Sequence, residues 1–158
     1  MQRSVLLAVY IFLVFMASEA AAFVFSDGTT AQCTARGRVV IEIDGPPGSK
    51  VVELGRTGIT EPVGTGYVIQ WNADKLEQLP PAIHDLIFFH ECAHAQLPTT
   101  DELSANCAGL KAMRAAGRAG FAVESKLAAF YGPGNPYWAG TLKCADAETV
   151  PPPPKAGR

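Results

Sequence analysis

Charged side chains are scarce in this sequence of 158 residues. They make up 18% of it, and 13 Lys and Arg against 15 Asp and Glu give a formal net charge of −2 at pH 7. Removal of an N-terminal signal would take away one charge of each sign, Arg3 and Glu19, and leave this balance unchanged. Proteins that bind nucleic acid usually present a basic surface that neutralises several phosphates. The composition therefore argues against nucleic acid as a partner.

Long apolar runs are also missing. The most extended one, residues 5–16, is shorter than the roughly 20 residues that a membrane-spanning helix needs. Arg3 precedes this run and residues 20–22 are all Ala, which is the order of a secretory signal with a small-residue cleavage site. We therefore predict a signal peptide over residues 1–22 that is cleaved after Ala22. The mature chain would be exported, periplasmic or secreted, with no stable membrane insertion.

Internal repeats are absent, and the length suits one domain with a hydrophobic core. We predict that residues 23–148 form this domain and that the proline-rich residues 149–158 form a disordered tail. An even number of cysteines in an exported protein favours disulfides, here two. The four cysteines are Cys33, Cys92, Cys107 and Cys144.

The remaining pattern predicts an α+β fold with an N-terminal, mostly antiparallel sheet of about three strands followed by three helices. β-branched residues are typical of strands, and they mark residues 38–43, 50–54 and 66–71. Residues 55–64 and 131–140 have the composition of loops. Helix start and stop signals predict the three helices at residues 81–96, 101–116 and 120–130, with a short helix or turn at 73–79.

Histidine is rare, and two of the three histidines stand in the sequence HECAH at residues 90–94. Two histidines four residues apart on a helix lie on one face, about 6 Å apart along the axis, and can bind one metal ion. Glu91 points to one side of His90 and His94, where a carboxylate can take a proton from water at the ion. The apolar residues 86–89 indicate that this helix is buried. We predict one zinc ion per chain, with Glu91 as general base.

A catalytic zinc ion usually has three protein ligands, so the site needs one more. Glu102 is the candidate, because the short connection at residues 96–100 favours antiparallel neighbouring helices, with the start of the second opposite the end of the first. Ala105, Asn106 and Gly109 continue the Glu102 face, and their small side chains would let the helices approach closely. Asn106 could also accept the free N–H of a ligating histidine and fix its tautomer.

Cys92 lies inside the motif but is not predicted to bind the metal. It stands about 200° around the helix from the first histidine, and therefore faces away from the ion. Cys107 also lies off the face of the third ligand, so a bridge between these two would require the outer faces of both helices to meet. Three disulfide pairings are possible, and we favour Cys33 with Cys92 and Cys107 with Cys144.

The HECAH sequence followed by ELSAN at residues 102–106 resembles the gluzincin metallopeptidases, above all their small members, in which an HExxH helix precedes a Glu-x-x-Ala-Asp/Asn helix. The resemblance covers about residues 83–114. It implies a small zincin-like domain in which the two histidines and the downstream glutamate bind zinc. It also implies that the motif glutamate is the general base and that the residue at position 106 orients a histidine.

By this resemblance the substrate is a peptide or protein, held in extended form along an edge strand near the cleft. Residues 66–71 are the nominated strand, with an ordinary core strand as the alternative. A His or Tyr in such enzymes steadies the oxyanion, and the candidates here are His84, Tyr67, Tyr131 and Tyr137. His84 lies well around the helix from the two motif histidines, so it would line the cleft or satisfy a polar group in the core rather than bind the ion.

Two other classes of function remain open from the sequence. One is a catalytically inactive, zinc-stabilised binding or scaffold protein of the cell envelope, which would keep the ligands and lack a productive cleft. The other is a secreted domain without metal. The sequence does not set the oligomeric state or the cleavage specificity.

Overall fold

The computed structural model describes residues 22–147. The predicted signal peptide, apart from Ala22, and the predicted tail lie outside these residues. Within residues 22–147, no helix has both the length and the apolar character needed to cross a membrane. The described chain is an α+β fold with small sheets and two disulfides, as the sequence predicts.

The strands form two short antiparallel hairpins and one three-stranded sheet. The hairpins join β1 (Phe23–Val24) to β2 (Thr30–Ala31) and β3 (Thr34–Ala35) to β4 (Arg38–Val39). The sheet consists of β5 (Ile41–Asp44), β6 (Gly58–Val63) and β7 (Gly66–Trp71), in the order β5-β7-β6. β7 pairs antiparallel with β6 and parallel with β5, so the sheet is mixed rather than purely antiparallel.

The position of β7 corrects the nomination of residues 66–71 as an edge strand. β7 is hydrogen-bonded on both sides, with Ile69 fully buried and Trp71 5% exposed. A strand with both edges occupied cannot pair with a peptide. Among the described residues, β6 is the edge strand that adjoins the helix carrying the HECAH motif.

The described residues contain six helices instead of three. They are α1 (Lys50–Glu53), α2 (Ala73–Leu76), α3 (Pro81–Gln96), α4 (Glu102–Ala115), α5 (Phe121–Tyr131) and α6 (Pro136–Asp146). α3 has the predicted bounds, and α4 and α5 lie within one residue of theirs.

Two segments form other structures than the sequence indicates. Residues 50–54 were predicted as a strand, but residues 50–53 form α1, with Val51 fully buried, Leu54 at the C-cap position and Ser49, from the preceding proline- and glycine-rich turn, at the N-cap position without a side-chain capping hydrogen bond. Residues 131–140 were predicted as a loop, but Asn135 accepts a hydrogen bond from the backbone N–H of Trp138 and Pro136 occupies the first turn of α6. In both segments the residues that begin the helix stand among glycines and prolines, whose composition indicates a turn or loop.

α3 lies between two hydrophobic cores and is largely buried, as predicted. One face packs with the hairpins and the sheet, and the other packs with α4, α5 and α6. The disulfide from Cys33 to Cys92 joins α3 to the N-terminal hairpins, and that from Cys107 to Cys144 joins α4 to α6. These are the favoured pairings, and they bind each of the two helices α3 and α4 covalently to another part of the described chain.

Candidate metal centre

The three predicted ligands converge where α3 ends and α4 begins. The Asp101 side chain accepts a hydrogen bond from the backbone N–H of Ser104 (3.0 Å), so α4 starts at once and Glu102 lies in its first turn. The Nε2 atoms of His90 and His94 are 3.1 Å apart. Glu102 Oε2 lies 3.1 Å from the first of these nitrogens and 3.6 Å from the second. His90, His94 and Glu102, which we call the triad, form a group that could hold a metal ion.

The spacing of these atoms and their chemistry suit a zinc ion. Ligands at about 2.0–2.1 Å from a tetrahedral zinc ion would be separated from each other by about 3.3–3.4 Å. The three observed separations, 3.1, 3.1 and 3.6 Å, lie close to that value. Two imidazole nitrogens and one carboxylate oxygen are also a common ligand set of catalytic zinc. The side chains therefore need little movement to bind such an ion.

The Nδ1 atoms of the two histidines differ in their hydrogen bonding. His94 Nδ1 lies 2.7 Å from the backbone oxygen of Thr99. A carbonyl oxygen can only accept, so Nδ1 carries the proton, which leaves Nε2 of the neutral ring free to bind a metal. His90 Nδ1 is buried and has no hydrogen-bond partner in the described structure.

The hydrogen bond predicted from a histidine to Asn106 is not found in the described structure. Asn106 is buried at 2% exposure, but its amide nitrogen donates to Thr141 Oγ1 on α6 at 2.9 Å. This contact ties α4 to α6. The backbone oxygen of Thr99 accepts the Nδ1–H of His94, which is the role predicted for Asn106. A backbone acceptor in a short loop cannot be recognised from the sequence.

Glu102 is ionised under neutral conditions. The hydrogen bond with His90 is the largest of the causes that lower the pKa of the Glu102 carboxyl to about 2, and the charge of a nearby cation also lowers it. That cation is Arg56, whose Nη1 lies 3.5 Å from Glu102 Oε1. Metal binding requires a deprotonated carboxylate, so Glu102 is in the form that an ion needs.

Glu91 is buried at 6% exposure beside the triad and is not part of the ligand group. The hydroxyl of Thr60, on β6, lies 2.8 Å from both Glu91 Oε2 and the Glu91 backbone oxygen. A Cβ atom at Gly58 would lie 2.8 Å from Glu91 Cγ and 2.7 Å from the Trp71 ring. Glycine at 58 therefore makes the space for Glu91, and Thr60 fixes the orientation of its carboxylate.

An open cleft borders the triad and has two lobes, both reached by Arg56, Glu91 and Glu102. The basic lobe, about 200 Å³, is further lined by Lys50, Thr60, His94, Thr99 and Thr100. The aromatic lobe, about 440 Å³, is further lined by Ile87, His90, Asn106, Tyr131 and Tyr137.

Two of the four candidates for oxyanion stabilisation line the cleft, and the other two lie in separate cavities. Tyr131 and Tyr137 line the aromatic lobe, and burial raises the pKa of each, so both phenols are protonated donors at neutral pH. The hydroxyl of Tyr137 donates to the backbone oxygen of Glu102 at 3.0 Å. His84 lies instead in another cavity beside Phe23, with its Nδ1 3.1 Å from Asp85 Oδ1. Tyr67 lines a third cavity near β4.

α3 and α4 approach each other closely at Gly109, as its small side chain predicts. A Cβ atom there would lie 2.9 Å from the backbone N of His90 and 3.0 Å from its Cα. These are backbone atoms that cannot move without shifting α3. The separation of the two helices, and with it the spacing of the three ligands, therefore depends on glycine at 109.

Gly109→Ala is expected to lower the free energy of unfolding by about 1–3 kcal/mol, because overpacking a close contact forces the backbone apart. It should also weaken metal binding, since His90 moves away from Glu102. Urea unfolding and a zinc titration measure the two effects. Gly66→Ala is the matched control, because a Cβ atom there meets only the Val63 oxygen at 3.9 Å. Equal stability of both variants would contradict the prediction.

Sequence reasoning missed Thr60 and Arg56. Both lie in the segment 55–64, which was predicted as a loop, and Thr60 contacts a residue 31 positions away. The three β-branched residues among the six of GITEPV in β6 were a usable strand signal. No pattern in the sequence indicated that Arg56 would lie at the cleft.

Comparison of the chain with protein-family models, with curated proteins and with solved structures gives no match.

Proposed function

We propose that this protein is an exported zinc metallopeptidase of the gluzincin type, which hydrolyses peptide bonds. The observation that carries the proposal is the convergence of His90, His94 and Glu102 beside a buried Glu91 that takes no part in the ligand group. A site that only needed a structural metal would not require, beside its ligands, a buried carboxylate that is held by Thr60 and lines the cleft. The two disulfides are compatible with an oxidising, exported location.

His90, His94 and Glu102 would hold the zinc ion, which when bound supplies an acidified water and polarises the substrate carbonyl. Glu91 then accepts a proton from the attacking water at its carboxylate and delivers it to the leaving amine. The Thr60 hydroxyl, 2.8 Å from Glu91 Oε2, holds that carboxylate towards the cleft. Tyr131, as a protonated phenol in the aromatic lobe, is the side chain that could donate to the developing oxyanion, and Tyr137 could do so only by giving up its hydrogen bond to the Glu102 backbone oxygen.

β6 is the strand along which an extended peptide would lie. Among the described residues its outer edge is not paired with another strand, and Gly58, Ile59 and Thr60 line the cleft beside Glu91. Backbone hydrogen bonds to such an edge bind peptides with little dependence on their sequence. This replaces β7 in the role that the sequence suggested.

The test combines metal analysis with a peptidase assay. The purified protein is expected to contain one zinc ion per chain, to lose hydrolysis of an unstructured protein such as casein when a chelator removes the ion, and to regain it with added zinc. Glu102→Ala is expected to weaken zinc affinity at least about tenfold, because loss of a partner outside the ligand shell already costs about 10- to 100-fold. Glu53→Ala, an exposed glutamate on α1, is the matched control.

Each outcome separates the proposal from its alternatives. Stoichiometric zinc without hydrolysis would indicate a zinc-stabilised binding or scaffold protein. Absence of stoichiometric zinc would leave a domain without metal and refute the proposal. Unchanged zinc affinity in Glu102→Ala would show that the third ligand is wrongly assigned.

A further inference from the structure

Two basic side chains line the cleft beside the triad and have no part in the proposed hydrolysis. Arg56 borders both lobes, and Lys50 borders the basic lobe. Both side chains are 57% exposed, so a ligand arriving from solvent can reach them. The cleft therefore offers the Arg56 guanidinium and the Lys50 ammonium group, beside the carboxylates of Glu91 and Glu102, next to the position where the substrate would be cleaved.

The hydrogen-bonding capacity of Arg56 is almost unused. A guanidinium carries five N–H donors in a planar fork that matches a carboxylate. Among residues 22–147, the only ion pair of Arg56 is that with Glu102, at 3.5 Å, which is longer than the roughly 2.7–2.9 Å of a charge-assisted hydrogen bond. Lys50 differs, because its Nζ lies 2.5 Å from Glu61 Oε1.

Glu102 cannot satisfy Arg56 while it serves the histidines. Its Oε2 lies 3.1 Å from His90 Nε2, and its Oε1 lies 3.5 Å from Arg56 Nη1, so one oxygen is engaged by the histidine and the other contacts the guanidinium at a long distance. The remaining donors of Arg56 are open to a second carboxylate, which could bind in the bidentate manner that this side chain favours. Lys50 lies on the same side of the cleft, but its charge is offset by Glu61 while that ion pair is kept, so its contribution should be smaller than that of Arg56.

We propose that Arg56, assisted by Lys50, forms a carboxylate subsite of the cleft, so that the preferred substrates carry a carboxylate close to the hydrolysed bond. The carboxylate is either an acidic side chain or the C-terminus of the peptide. This inference rests on the proposed peptidase function, because it assigns the substrate class of that site. A role in which Arg56 only braces Glu102 predicts weaker metal binding on its removal and no preference among peptides.

The experiment measures peptide binding to zinc-loaded Glu91→Gln protein by calorimetry at low salt. The probes are acetylated, amidated alanine hexapeptides with one Glu at successive positions, the matching Gln peptides, and the all-alanine peptide with a free C-terminal carboxylate. At least one carboxylate peptide is expected to bind about tenfold more tightly than its neutral match. Adding Arg56→Gln should reduce that ratio to about twofold or less, and Lys50→Gln should reduce it less. Arg38→Gln, an exposed arginine bonded to Thr65, is the control that should leave it unchanged.

The outcomes are distinct. A preference confined to Glu peptides identifies an acidic side chain as the ligand, and one confined to the free C-terminus identifies the chain end. Equal binding of all peptides overturns the subsite, as does an Arg56→Gln variant that weakens zinc binding and all peptides alike. Hydrolysis by the wild-type protein without carboxylate preference overturns the subsite alone. Selective binding without any hydrolysis retains the subsite and refutes the peptidase.

Discussion

Glu91→Gln is expected to keep one zinc ion per chain and to lower kcat for peptide hydrolysis by about 10²–10⁴-fold, the usual contribution of a general base. The amide keeps the shape of the carboxylate and can still accept the Thr60 hydrogen bond, but it cannot take a proton from water. Since Glu91 is outside the ligand group, the triad should be undisturbed. Metal analysis and steady-state kinetics on the same samples measure both quantities.

The comparison variant is Glu53→Gln, which makes the same chemical change at an exposed position on α1 outside the cleft. It should behave as wild type in both assays. Retained turnover in Glu91→Gln would exclude this residue as the base. Loss of zinc from Glu91→Gln would mean that the carboxylate supports the ion directly, and the division between ligands and base would then be wrong.

The three residues of the candidate metal centre could be predicted to lie together because their spacing is set by local rules. The i, i+4 relation of His90 and His94 follows from helix geometry alone. Glu102 follows from a short connection that forces two helices to be adjacent and antiparallel. No contact across the sheet was needed for either step. The bounds of α3 were readable for the same reason, because Pro81 begins it and Pro98 follows its end.

The surroundings of the ligands could not be predicted, because they depend on long-range packing. Thr60 reaches Glu91 only because β6 is the edge strand that packs against α3. Tyr137 enters the cleft because α6 begins at Pro136, in a stretch whose glycines and prolines indicated a loop. β7 was recognised as a strand, but its central position depends on the parallel pairing with β5 across the 21 residues between the two strands, which no local pattern encodes.

The disulfide between Cys33 and Cys92 bears on both the stability of the fold and the motif itself. It closes a sequence separation of 59 residues, and loop-closure entropy then assigns it about 4.3 kcal/mol. Cys33 is 1% and Cys92 6% exposed. The backbone N–H of Cys33 also donates to the buried Glu42 carboxylate at 3.0 Å, which in turn accepts from Trp71 Nε1 at 3.1 Å. The bridge thus holds a buried polar network against α3.

The double variant Cys33→Ala, Cys92→Ala is therefore expected to lose about 4 kcal/mol of unfolding free energy, measured by urea denaturation of the metal-free protein. The matched double variant at Cys107 and Cys144, with a separation of 37 residues, should lose nearly as much, about 3.9 kcal/mol by the same relation.

The two double variants should differ in their effects on the cleft. Loss of the first bridge frees the N-terminal hairpins from α3, whereas loss of the second frees α6 and with it Tyr137. Zinc affinity should survive both, because all three ligands stand on α3 and α4, which contact each other directly. A stability change below about 1 kcal/mol in either variant would contradict the loop-closure argument, and a large loss of zinc affinity would show that the bridges, rather than the packing of the two helices, set the geometry of the metal centre.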